Sequence, residues 1–149
     1  GGLELALYCD ILIASEQARF ADTHARVGLL PTWGLSVRLP QKVGVGLARR
    51  MSLTGDYLSA DDALRAGLVT EVVPHEQLLS AARHVASAIV GNNQNAVRAL
   101  LESYHRIDDS QTSAGLWLEA TAAKQFRTSG DDIAGNREAV LQRGRAQVR

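Results

Sequence analysis

After two glycines the chain runs Leu-Glu-Leu-Ala-Leu-Tyr-Cys, apolar except for one carboxylate, Glu4. The run predicts a short helix entered through glycine. Asp10 to Ala14 is β-branched and apolar, which predicts a buried strand. The polar stretch Ser15 to Arg19 predicts a turn, and Arg19 to Asp22 a second short strand. Thr23 to Pro31 reads as loop, punctuated by Gly28 and Pro31. Trp33 to Leu39 predicts a helix limited by Pro40. Val45 to Leu53 predicts another, stopped by Gly55. Ser59 to Asp62 resembles a capping box with Asp in place of Glu. It starts a short helix that Gly67 ends. Leu68 to Val73 then alternates as a strand and stops at Pro74.

From His75 the period changes. Leu78, Leu79, Ala82, Val85, Ala86, Ile89 and Val90 fall on one helical face, and Asn92-Asn93 breaks the pattern. Val97, Leu100, Leu101 and Tyr104 predict a second helix. Leu116, Trp117 and Ala120 predict a third, from about Ser113 to Phe126. Gly130-Asp131-Asp132 predicts the cap of a fourth, which ends in a basic tail. Strands and helices that alternate and then give way to helices predict an α/β core over residues 1–74 with a helical region over 75–149. Four amphipathic stripes with little sheet to cover make packing on another subunit a natural outlet.

Composition narrows the class. The 149 residues suffice for one domain with a core, and 46% are hydrophobic. Sixteen basic residues balance sixteen acidic ones, which gives no case for a nucleic-acid or membrane partner. The one cysteine, Cys9, rules out an internal disulfide framework and fits a reducing compartment, so cytoplasm is the expected location. No initiator Met is present and residue 1 already belongs to an organised motif, which predicts a segment of a longer chain. His75, His84 and His105 have no metal-ligand spacing. Tyr8 and Cys9 are expected in the core, because they share a helical face with Leu5.

The opening motif can do chemistry. The first N–H groups of a helix lack internal partners, and the helix dipole adds positive charge there. A start at Gly1-Gly2 lets a ligand approach the backbone and offers an N–H to a developing oxyanion. Glu4, just inside the same helix, can hold a carboxylate nearby. Together these form a constellation for proton transfer at a carbon beside a thioester carbonyl. Another reading stays open: acids are favoured in first helical turns anyway, and paired glycines also permit tight packing.

The stretch GGLELALYCDILIASEQARFAD, followed by a loop ending in VGLLP, resembles the crotonase (enoyl-CoA hydratase/isomerase) superfamily. LTGDYLSADDALRAGLVTEVVP and the closing FRTSGDDIAGNREAVLQRGRA resemble two further signatures in the right order. The resemblance covers essentially the whole chain. It implies an α/β, crotonase-like spiral of ββα units, of which the second half is present, with a helical C-terminal region that trimerises. Trimers often pair into hexamers. It further implies an acyl-CoA thioester substrate and no metal or redox cofactor.

Carried over residue by residue, Gly1 resembles an oxyanion-hole donor through its N–H, with Gly2 the neighbouring possibility. Glu4 resembles the first catalytic glutamate, which activates the water that attacks C3. The place of the second glutamate holds His24, an imidazole able to exchange protons near neutral pH. A loop histidine hydrogen-bonded to Asp22 is the alternative, and Asp22 itself is a weaker stand-in. Trp33 resembles a residue bordering the acyl pocket, with filling the core as the alternative. Arg143 resembles one that reaches the CoA of a neighbouring subunit, with a solvated arginine of the basic tail as the alternative. The implied activity is syn-hydration of 2-trans-enoyl-CoA in fatty-acid β-oxidation-type metabolism. The alternatives are a 3,2-enoyl-CoA isomerase and a catalytically impaired acyl-CoA-binding subunit.

Overall fold

The computed structural model describes residues 1–126 together with Leu141, Gln142 and Arg145. The helix expected after Gly130 and the candidate Arg143 lie outside the described residues. The chain opens with helix α1 (Gly2–Ala6), followed by strands β1 (Ile13–Ser15) and β2 (Arg19–Phe20) and a single 3₁₀ turn at Ala25–Val27. Helices α2 (Leu35–Val43) and α3 (Val45–Thr54) come next, then strand β3 (Leu58–Ser59), helix α4 (Ala60–Arg65) and strand β4 (Glu71–Val73). A 3₁₀ turn at His75–Gln77 leads into α5 (Leu78–Val90) and the long α6 (Gln94–Gln125).

Strand β1 lies parallel to β4, with Ala14 opposite Val72, and β2 lies antiparallel to β3. The expected strand at Asp10 begins later, at Ile13. Helical i→i−3 bonds carry the chain through Tyr8 and Cys9, and pairing starts only where the Thr70 N–H donates to Leu12 O. Backbone groups pair where a partner strand is present, and Asp10 and Ile11 have none.

A small apolar core, including Leu7, Ala14, Leu35, Leu39, Met51 and Leu68, lies among β1, α2, α3 and α4. Pro40 does not limit α2, which runs on to Val43. A helical proline costs about 3 kcal/mol, but Leu35 and Leu39 are both buried one turn apart and hold this helix on the core. Tyr8 and Cys9 are exposed rather than core. They do share a face with Leu5, but Leu7 on the other side is the residue that turns inward.

At α4 the Ser59 hydroxyl accepts from the Asp62 N–H, as an N-cap should. The reciprocal half of a capping box differs. The Asp62 carboxylate takes the Ser59 hydroxyl proton as its donor and pairs with Arg65. The Ser59 hydroxyl first, and Arg65 second, hold the Asp62 carboxyl below its usual range.

The two helices expected over Val97–Tyr104 and Ser113–Phe126 are one continuous helix of 32 residues. At 1.5 Å per residue it is about 48 Å long. The polar stretch between them contains neither Gly nor Pro, so nothing breaks the hydrogen-bond ladder. Asn93 caps its start by accepting from the Asn95 and Ala96 N–H groups. Among the described residues no helix is long and apolar enough to cross a membrane.

Leu39 is wholly buried. Leu39→Ala is expected to lower the unfolding free energy by about 2–5 kcal/mol, read as a lower urea midpoint at unchanged m-value.

Candidate active site

Helix α1 starts at Gly1, whose carbonyl accepts from Leu5 N–H at 2.9 Å. One short turn therefore carries Glu4 inward, and its side chain is buried at 5% exposure. An ionised carboxylate at that depth needs donors. One is the Trp33 N–H, 3.2 Å from Oε1. The Trp33 ring lies beside Gly1: a Cβ built on Gly1 would sit 3.7 Å from Cζ3. Gly2 faces open space.

The second oxygen, Glu4 Oε2, faces His24 Nε2 across 3.7 Å. That separation is an ion-pair distance and too long for a hydrogen bond. On the other side of the ring, His24 Nδ1 meets Asp22 Oδ1 at 2.6 Å. The same oxygen accepts the His24 backbone N–H at 3.1 Å. Asp22 is buried and a carboxylate accepts N–H groups, so Nδ1 directs its N–H at Asp22 and Nε2 is presented to Glu4. The loop turns His24 inward because the Asp22 carboxylate closes a turn two residues on, and a 3₁₀ turn at Ala25–Val27 follows at once.

The loop histidine bonded to Asp22 and the histidine facing Glu4 were alternatives in the sequence. The structure contains both contacts at once. Gly1, Glu4, His24 and Trp33 come together, and Gly2 adjoins them. His75 instead meets Ser15 Oγ at 3.1 Å, and His105 meets Asp10 at 3.2 Å, both away from this cluster. Among the described residues no group of three His, Cys, Asp or Glu side chains is placed to hold a metal.

Sequence reasoning missed one buried acid. Glu119, on α6, is 8% exposed and accepts from the Gly34 and Ser36 N–H groups at 2.6 Å each. It faces inward seven residues after Thr112, which is fully buried on the same helix. The i, i+7 spacing was a signal, but the charge masked it in a search for apolar stripes.

Arranged this way, Glu4 can take a proton, and His24 can supply or recover one across the same small gap. A water within hydrogen-bond reach of both groups has to sit to one side of the line joining them. The same first turn of α1 that carries Glu4 begins with N–H groups that have no intrahelical partner, and no side chain caps it.

The model of the enoyl-CoA hydratase/isomerase family matches residues 1–141. A probable peroxisomal enoyl-CoA hydratase of Arabidopsis thaliana is 40% identical over 143 residues, 90% of this chain and 54% of that protein. The short-chain-enoyl-CoA hydratase of Clostridium acetobutylicum is 37% identical over 82% of this chain and 47% of its own length. The chain thus spans about half the length of the curated relatives it matches. The crystal structure of an enoyl-CoA hydratase from Mycobacterium avium superposes with a TM-score of 0.84 at 90% identity, over 89% of this chain and 59% of that one. The fold is therefore the crotonase-like one that the sequence resembled. With the family's model matched over residues 1–141 of this chain and the backbone following that of solved members, this chain belongs to the enoyl-CoA hydratase/isomerase family.

Proposed function

We propose that the protein is an enoyl-CoA hydratase that adds water syn across 2-trans-enoyl-CoA thioesters. The observation that carries this reading is the buried Glu4 carboxylate facing an Asp22-anchored His24 at the start of the first helix. The kinship with proteins named enoyl-CoA hydratases supports it.

In this reading Glu4 removes a proton from water, and the oxygen bonds to C3 of the enoyl thioester. The electron pair of the C2–C3 bond moves toward the thioester carbonyl. The Gly1 N–H, with Gly2 adjoining, meets the charge that develops on that oxygen. Nε2 of the His24 imidazolium delivers its proton to C2. Glu4 then holds the proton taken from water, and its transfer to His24 across the 3.7 Å gap restores the starting state. The sum is one water added, with no oxidant, metal or cofactor consumed. Trp33, exposed beside Gly1, borders the acyl chain, and Arg143 is assigned to the CoA moiety.

The same reading places the site on residues 1–74 and gives assembly to residues 75–149. No described residue of α5 is buried. Leu79, Val90, Leu100, Tyr104 and Trp117 each expose 60% or more of their surface on α5 and α6. Exposed apolar area on this scale fits contact with further copies in a trimer or hexamer. The free, exposed Cys9 thiol suits a reducing compartment, and the cytoplasm is the location assigned.

Glu4→Gln in the whole protein is expected to lower turnover of 2-trans-enoyl-CoA roughly 100-fold or more, as loss of a general base does. Full activity in that variant would remove Glu4 from the chemistry. Supplying 3-enoyl-CoA in parallel separates hydration from double-bond isomerisation. Thioester binding without turnover of either substrate would identify a binding subunit instead.

Asp22→Asn frees the His24 ring from its carboxylate while leaving Nε2 in place. We expect kcat to fall roughly 10-fold or more with KM changed little, because loosening the ring that delivers the proton acts on proton transfer. An unchanged kcat would leave His24 as a structural residue. Sedimentation equilibrium of the whole protein is expected to give three or six copies per particle, and a monomer would refute the assembly reading.

A further inference from the structure

Helix α6 comes unusually close to α2 and to the loop that precedes it. A Cβ on Gly115 would meet Val37 Cγ2 at 2.9 Å, and one on Gly34 would meet Leu116 Cδ2 at 2.8 Å. Gly34 also has φ +84, a backbone conformation that strains any side chain whatever the space. This approach puts Glu119, one turn further along α6, within reach of the loop.

There the buried Glu119 carboxylate receives two short bonds, from the Gly34 and Ser36 N–H groups. Both lie at the start of α2, where backbone donors lack helical partners. The residue directly before Gly34 is Trp33, and its N–H is the backbone donor to Glu4 Oε1. Three N–H groups within four residues thus serve two buried carboxylates, Glu119 from behind and Glu4 from the front.

We propose that Glu119 is a positioning residue for Glu4: it clamps the Trp33–Ser36 backbone so that the Trp33 N–H is aimed at the Glu4 carboxylate. This rests on the reading of Glu4 as the general base. Both Glu119 oxygens are engaged by these backbone donors. The other titratable groups facing Glu4 among the described residues are His24 and, through it, Asp22.

The clamp makes a specific prediction. An amide in place of the carboxylate accepts from one N–H and turns its own N–H₂ toward the other, which releases one end of the loop. Glu119→Gln is expected to lower kcat roughly 10- to 100-fold, the scale of a small misplacement of a catalytic group. The decisive measurement is a double-mutant cycle with Glu4→Gln, on protein shown to be folded at the assay temperature. If Glu119 acts through Glu4, adding Glu119→Gln to the Glu4→Gln variant changes the residual rate by less than about twofold. A residue that only supports the fold would cost the same factor in both backgrounds, and that outcome overturns the proposal.

If Glu119→Gln does not fold, the same cycle with Glu119→Asp serves. It keeps the buried charge but falls one methylene short of the two amides, and the same two outcomes apply. The two readings fail separately. Full activity of Glu4→Gln sinks the base assignment, whereas an inactive Glu4→Gln with equal, multiplying losses from Glu119 sinks only the clamp.

Discussion

Two carboxylates are buried where the chain enters α2, and one stretch of backbone supplies donors to both. A carboxylate out of water is costly until hydrogen bonds replace its hydration. Glu119 meets that need with two N–H groups and Glu4 with one, all from Trp33 to Ser36. Once these bonds form, three elements distant in sequence are tied together: α1, the entry to α2, and the far part of α6. The close α6–α2 packing at Gly115 and at the left-handed Gly34 brings Glu119 within reach of those donors.

The pair proposed for proton transfer depends on this arrangement. Glu4 has one oxygen committed to the Trp33 N–H, which leaves the other directed at His24. His24 is committed in the same way, with Nδ1 given to Asp22 and Nε2 presented to Glu4. Each group is fixed on one side by the fold and open on the other to the proposed reaction. An acid and a base can therefore face each other at 3.7 Å without collapsing into a direct hydrogen bond.

The helical part has a different character. Among the described residues α5 has none that is fully buried and α6 has Thr112 and Glu119, so both leave apolar side chains in solvent. The two residues that α6 does bury are polar, and both lie on the side that meets α2. Its contribution to this chain's own fold is thus a narrow line of contact, and its apolar stripe is surplus to that contact.

Much of the fold was legible in the residues themselves. Strand and helix periods, the Ser59 cap, the stop at Gly55 and the switch to helices after Pro74 are local, and local backbone preference decides them. The family was legible too, because GGLELAL, the CD-to-strand passage and the SADDALRAGLVTEVV stretch are contiguous motifs. Two features were not. Pro40 within α2 and the unbroken α6 depended on burial of Leu35 and Leu39 and on the absence of a breaker over residues 105–112. Both are balances between propensity and packing that no short window contains.

The acids divide the same way. Glu4 could be singled out from sequence because its glycine neighbours and helix start give it a local context. Its relation to His24 across 20 residues, and to Trp33 across 29, was decided by the tertiary structure alone. Glu119 had no local context. A glutamate on a long helix reads as a solvated residue until a loop 83 to 85 residues earlier brings two unpaired N–H groups to it. The sequence determined which groups can exchange protons and where helices offer free donors. The fold decided which carboxylate meets which donor, because hydrogen bonding acts only over the last few ångströms and only packing brings distant segments that close.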